Sequence, residues 1–393
     1  MTGLRTASES VVIVGGAIVG SSVAFFLRDL GYTGAVTVIE RDPSYRYSST
    51  ALSAASIRTQ FGTPVNIHMS LFGADFLRSI RQRFGPGADI GFTERGYLIL
   101  GGPETLETRR AGMCMQRREG ADVVALTPEE AKARFPWLNV DDLGIATTAW
   151  RNEGWFDAWS LLSLMRRAAR DRGVSYVEGH AERIEARGGR AAGVRLADGR
   201  VIEADWCVNA AGAASPALGR QIGIDLPVSA RKRTVFCIKA PLEGTGFPML
   251  FDTSGAWIRP EGDRFICGIA PAKDKDCDAA GDFEPAHELL EEVLWPALAH
   301  RIPALEELRV ENAWAGHYEV NTLDHNGIVG PHDEIANLIF ATGFSGHGVM
   351  HAPATGRGVA ELIMHGEFKT IDLSPLGFER IRKGVPLHES VVY

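Results

Sequence analysis

Apolar residues fall in short unbroken runs punctuated by glycine. SVVIV (10–14) is β-branched and continuous, the pattern of a strand buried on both faces. GGAIVG follows at 15–20, and SSVAFFLRDLG then predicts a helix ending near Gly31. VTVIE (36–40) is a second buried strand, closing on an acid. A similar order returns near the other end: NLIFAT predicts a strand, GFSGHG a glycine-rich turn, and the remainder a helix ending near Gly366. Between them, Asp198-Gly199 marks a turn into a strand and then the small-residue cluster Asn209 to Ser215. Further strands are expected at 94–101, 233–241, 255–260 and 264–271. Helices are expected at 158–172 and 284–303, the second with acids early and His300 and Arg301 late, as its dipole prefers. The tail after Pro375 has no strong pattern and is expected to pack loosely.

Composition narrows the classes. The 393 residues suggest two or three domains, and 45% hydrophobic with 23% charged residues excludes a disordered chain. A net charge of -8 lacks the basic footprint of a nucleic-acid binder. Val11 to Leu27 is uncharged, but three glycines and two serines interrupt it, so it reads as strand plus helix and not as a membrane span. Five scattered cysteines without a CxxC favour reduced thiols and a cytoplasmic setting.

The amino-terminal strand–turn–helix–strand unit has the context of a dinucleotide fingerprint. Gly15 permits the tight turn, backbone N–H groups at the helix start face a pyrophosphate, and Gly20 lets helix and strand pack closely. Glu40, twenty residues beyond Gly20, is placed to accept from ribose hydroxyls and disfavours a 2′-phosphate. Ala17 replaces the middle glycine, so the match is GxAxxG. Alone, it leaves FAD and NAD unseparated, and an ordinary unit without a ligand remains an alternative.

Other segments favour a flavin. YSSTALSAASIRTQFG (47–62) offers Ser48, Ser49 and Thr50 to phosphate, with small residues that let backbone lie against a flat ring. The N–H groups at 346–350 point from the positive end of the last helix, where a reduced flavin carries negative charge.

On GGAIVG with Glu40, SSTALSAASIRTQFG, WFDAWSLLSLMRRAARDRGV (155–174), NAAG (209–212) and NLIFATGFSGHG, the chain resembles the FAD-dependent D-amino-acid oxidase superfamily. It is most similar there to the sarcosine oxidase and dimethylglycine dehydrogenase branch. The resemblance runs from about residue 10 to 366. It implies a mixed α/β fold in which a Rossmann-like FAD-binding domain (1–85, 145–225, 330–393) interleaves with a mixed-sheet substrate domain (86–144, 226–329). The cofactor-binding residues expected are Gly15, Ala17, Ile18, Gly20, Glu40, Arg41, Ser48, Ser49, Thr50, Ser53, Ala181, Ala211, Gly212, Gly343, Gly346, His347, Gly348, Val349 and Met350. Ala181 would meet adenine through its backbone, and 346–350 would follow the pyrimidine edge. Arg58 matches an arginine that grips a substrate carboxylate, Tyr318 resembles an active-site tyrosine, and His351 is a candidate substrate-facing group.

Departures from the family refine the expectation. Met350 stands where sarcosine oxidases carry a lysine, RFICGIA (264–270) has none, and the chain holds only seven lysines. Oxygen is therefore placed in doubt as acceptor, beside a quinone or carrier protein. Ser53, and Gly316 or His317, occupy the positions of covalent attachment, so noncovalent FAD is expected.

His317, His325, His332, His347 and His351 lack the acids of a metal motif, and no metal is expected. Trp150, Trp155, Phe156 and Trp159 read as core before they read as a channel. Arg259 reads as a surface residue with the pocket as its alternative. The expected activity is oxidation of a small secondary or tertiary amine or amino acid. The alternatives are a hydroxy-acid or opine-like donor, or a flavin-bearing assembly protein with little turnover.

Overall fold

The computed structural model describes residues 8–389; the outermost residues of the expected domain segments, 1–7 and 390–393, lie outside them. Two large sheets organise the chain. The first has six strands in the order Ile328–Pro331, Leu338–Thr342, Trp206–Asn209, Val11–Val14, Val36–Glu40 and Ser175–Glu178. All neighbours run parallel except the first pair. Val11–Val14 is buried throughout, which is why its sequence is apolar at every position and not at alternate ones.

The second sheet has eight strands in the order Arg309–Asn321, Val228–Lys239, Arg264–Gly268, Trp257–Glu261, Met249–Phe251, Tyr97–Gly101, Ile145–Ala149 and Val123–Leu126. It is antiparallel apart from the Met249–Phe251 and Tyr97–Gly101 pair. Ile145–Ala149 pairs here, although 145 was expected to open a segment of the other domain. The Rossmann-like expectation of a mixed α/β chain built on two unlike sheets is met.

Helices Ile18–Asp29, Ala158–Asp171 and Gly348–His365 lie within a few residues of their expected bounds. The first and last pack together: Ser22 Oγ donates to the Ala352 carbonyl at 2.7 Å. The segment 284–303 departs from expectation. Helical structure begins only near 288, passes through a π turn at Leu290–Leu294, and becomes α-helical over Trp295–Arg301. Pro285 lies before the helix begins and Pro296, which has no N–H to donate, follows just after the π turn, so the helix is shortened and distorted but runs on to Arg301.

The tail does not pack loosely. Arg380 bonds Asp324 at 2.8 Å, and Glu389 accepts from Thr63 Oγ1 at 2.9 Å and Asn66 Nδ2 at 3.1 Å. No described helix is long and apolar enough to cross a membrane. All five cysteines are unpaired.

Candidate active site

The glycine turn after Val14 is fixed by crowding. Gly15 has φ +99°, and a Cβ there would lie 2.3 Å from the Ala210 carbonyl oxygen. A Cβ on Gly20 would come 1.9 Å from the Gly15 carbonyl, so helix and turn touch backbone to backbone. Ala17 caps the helix without a side-chain bond. The N–H groups at this helix start are not all free, as the sequence had suggested. Gly16 donates to Glu40 Oε2 at 2.8 Å, and Ile18 donates to Thr50 Oγ1 at 3.2 Å. Glu40 Oε1 accepts from the Asp42 N–H at 3.0 Å, which holds the carboxylate at the strand end.

A cavity of about 860 Å³ runs from this turn across the end of the first sheet. Gly15, Ala17, Ile18, Glu40, Arg41, Ser48, Ser49, Thr50, Ser53, Ala181, Ala211, Gly212, Gly346, Gly348 and Val349 line it. Gly20 does not, because its part is helix packing. Gly343 lies outside the lining too: it has φ +75° and gives its N–H to Glu319 Oε2 at 3.0 Å. The serine cluster serves the protein as well as the cavity. Ser49 donates to the His317 carbonyl at 2.6 Å, while Ser48 and Ser53 accept from the N–H groups of Ala51 and Ala55.

A second chamber of about 90 Å³ shares Ser49, Ser53, His317, Tyr318, Gly346 and Val349 with the first. Arg58, Tyr97, Arg233, Met249, Phe251, Trp257, His347 and Met350 are among its other walls. Its lining holds no Asp, Glu or Lys. Arg58 is 3% exposed, bonds the Gln60 carbonyl, lies 3.9 Å from the Phe61 ring centroid, and points Nη2 at His347 Nε2 at 3.3 Å. Burial, with the Arg58 charge beside it, drives the His347 pKa well below its usual value. The imidazole is therefore neutral and accepts from the guanidinium. Arg233 is held to Asp276 by two bonds of 2.7 and 2.8 Å.

Tyr318 and Gly346 define where the two cavities meet. Gly346 has φ +95°, and a Cβ there would lie 2.4 Å from the tyrosine ring. The turn is tied to the Arg309–Asn321 strand by Ser345 N–H to the Glu319 carbonyl at 3.0 Å. Tyr318 is half-buried where it lines both cavities, and burial raises its pKa.

Several candidates fall elsewhere. His351 lines neither cavity: it is 2% exposed, against Ser70 Oγ at 3.2 Å and the Phe61 ring. Arg259 is buried and gives Nε and Nη2 to the Ala54 carbonyl. Trp155 and Phe156 are buried in the core and Trp159 is largely exposed. Among the described residues no group of three His, Cys, Asp or Glu is arranged for a metal.

Two acids went unnoticed in the sequence. Glu153 is fully buried and accepts from Thr59 N and Oγ1 at 2.7 and 2.8 Å, Gln60 Nε2 at 2.9 Å and Tyr97 N at 3.2 Å. It joins the Arg58 segment to the second sheet. Glu319 lines the larger cavity and accepts from Thr342 Oγ1 at 2.8 Å and Gly343 N.

A glycine turn at a helix start, the Glu40 carboxylate and the start of the Gly348–His365 helix lie along one cavity, beside a chamber lined by Arg58 and Arg233 and no acid, an arrangement that fits a dinucleotide-cofactor oxidoreductase. The chain belongs to the FAD dependent oxidoreductase family, whose model matches residues 10–362. It is 41% identical over 96% of its length, and 84% of the relative's, to FAD-dependent oxidoreductase domain-containing protein 1 of Xenopus laevis. It is 26% identical to mitochondrial sarcosine dehydrogenase of Homo sapiens, over 91% of this chain and 40% of that one. The solved L-proline dehydrogenase of P. horikoshii matches with a TM-score of 0.86 and 27% identity, covering 97% of this chain and 99% of that one. FAD is the cofactor, and the larger cavity has a size in keeping with it, since ligand pockets run to about 1,000 Å³.

Proposed function

We propose that this protein oxidises a small amino acid or amine with a secondary or tertiary nitrogen and a carboxylate. The product is an imine, which water hydrolyses to a carbonyl compound and an amine. The observation that carries this reading is Arg58, a buried guanidinium in the wall of an acid-free chamber adjoining the FAD cavity. The names of two similar proteins, sarcosine dehydrogenase and L-proline dehydrogenase, denote donors of this kind.

When bound, FAD supplies the two-electron acceptor, taking hydride at N5. The chain's residues supply position and field. Arg58 pairs with the substrate carboxylate and fixes the direction of the C–H bond. No acid in the chamber stabilises an ammonium, so the nitrogen enters neutral and its lone pair assists hydride loss. Tyr318 offers its hydroxyl where the two cavities meet, and Gly346 to Met350 present the helix terminus to the cofactor. Ser53, Gly316 and His317 form no flavin linkage, and acid precipitation is expected to leave the yellow colour in solution. With no lysine in the chamber, a quinone or carrier protein is favoured over oxygen as acceptor.

Anaerobic reduction of the purified yellow protein by N-methyl amino acids, proline, D-amino acids and hydroxy acids tests the reading. Bleaching by the secondary amino acids is expected, and bleaching by hydroxy acids alone overturns it. Arg58→Ala should cost about 2–4 kcal/mol in kcat/KM for the best donor, because it leaves a carboxylate unpaired.

A further inference from the structure

We propose that Glu319 is the proton partner of the bound cofactor: when the ring takes up two electrons and one proton, the Glu319 carboxylate takes a second proton from solvent. The balance is complete. Two electrons and a proton reach the ring from the donor, one proton reaches the carboxylate oxygen from solvent, and on reoxidation the two electrons pass to the acceptor and both protons are released. The inference needs FAD in the larger cavity and is independent of which donor the enzyme uses.

The geometry is specific. Glu319 sits next to Tyr318 on the strand that meets the 343–346 turn, and it lines the FAD cavity. Its Oε2 is occupied by Thr342 Oγ1 and the Gly343 N–H. Its Oε1 would lie 3.5 Å from a Cβ on Gly348, at the start of the last helix, and Oε2 3.7 Å from one on Gly212. Thus the carboxyl is wedged between two glycines of the cavity wall, with one oxygen turned toward the helix terminus.

Charged neighbours are engaged elsewhere. On the paired strand, Arg233 is bound to Asp276 and Lys232 to Asp282, and the Arg231 charge acts on Asp278. In the turn, His347 faces Arg58, and His317 faces the Asp282 carbonyl. Burial lifts the Glu319 pKa to about 7, against the pull of the Gly343, Thr342 and Phe344 hydrogen bonds. A carboxyl poised there responds to a negative charge arriving on its neighbour by binding a proton.

The test counts protons taken up by the yellow holoprotein as it is reduced without substrate at an electrode, through a viologen mediator that carries electrons only, using an indicator dye at about pH 8 to 8.5, where the Glu319 carboxyl of the oxidised protein is ionised. Two protons per two electrons are expected in the wild type and one in Glu319→Gln. Reduced-minus-oxidised infrared spectra of the wild type should show a carboxylic-acid carbonyl band appearing. One proton in the wild type with no such band overturns the proposal, and so do two protons in both proteins. The wild-type spectrum decides the matter even if the variant fails to fold.

Discussion

At the scale of single residues, the site is set by what cannot be added. A methyl group on Gly346 would press on the Tyr318 ring at 2.4 Å in a backbone of φ +95°. The left-handed conformation alone costs an L-residue about 1–2 kcal/mol. Gly346→Ala should therefore shift Tyr318 and the turn, weakening FAD retention at least several-fold, as read by fluorescence titration of the apoprotein. Glu319 gives a second residue-scale prediction. Its carboxyl has an ordinary value of 4.5 and is raised to about 7 in the fold, so the folded state binds more protons between those values. The stability it confers is full below about 4.5 and is lost as pH rises through about 7. Urea midpoints of the apoprotein should fall from pH 5 to pH 8 by more in the wild type than in Glu319→Gln. The cavity positions of Gly15 and Glu40 were legible in the sequence because their motif is local, and that of Arg58 through the family resemblance. Glu319 was not, since the groups that define it, Thr342, Gly343 and Gly348, arrive from more than twenty residues away.

Elements extend the same lesson. The buried strands at 11–14 and 36–40 and the helix that ends at Gly366 were readable because burial on both faces and glycine stops leave local marks. The strand Ile145–Ala149 was expected with the other domain, because nothing in IATTA tells one sheet from another. Its place is settled by pairing with Tyr97–Gly101 across nearly fifty residues. Glu153 works at this scale. Its one carboxylate collects donors from Thr59, Gln60 and Tyr97, so the segment bearing Arg58 is held against the second sheet. Glu153→Ala leaves several buried donors unpaired, each worth about 1–3 kcal/mol. A loss of about 3 kcal/mol or more in urea unfolding is expected, with KM for a carboxylate donor raised more than kcat is lowered. Glu153→Gln, which keeps one acceptor oxygen, should recover part of both.

Across the whole molecule, the tail closes onto the site from behind. Asp324 is buried and receives Arg380 from the short helix Phe378–Lys383 and the Leu387 N–H, while Arg380 also binds the carbonyls of Asn326 and Gly327. Farther on, Glu389 accepts from Gly62, Thr63 and Asn66, at the start of helix Pro64–Arg78. That start lies only a few residues beyond Arg58, so the carboxy-terminal segment braces the same stretch of chain that Glu153 holds from the sheet side. No periodicity announced this, because the charged groups that anchor the tail are isolated in sequence and its buried apolar residues, Leu376 and Phe378, are too few to set a period. Asp324→Ala strands a guanidinium whose side chain is 9% exposed, and losing one partner of such a pair typically costs about 3–5 kcal/mol. Chemical unfolding should show that loss. Limited proteolysis should then cut first within the segment after Gly384, because Leu387 loses its acceptor along with Arg380. A variant with unchanged stability and an uncleaved tail would separate that segment from the fold's integrity. The double variant Asp324→Asn/Arg380→Met should be less damaged than Asp324→Ala alone, since it removes the stranded charge as well as the bond.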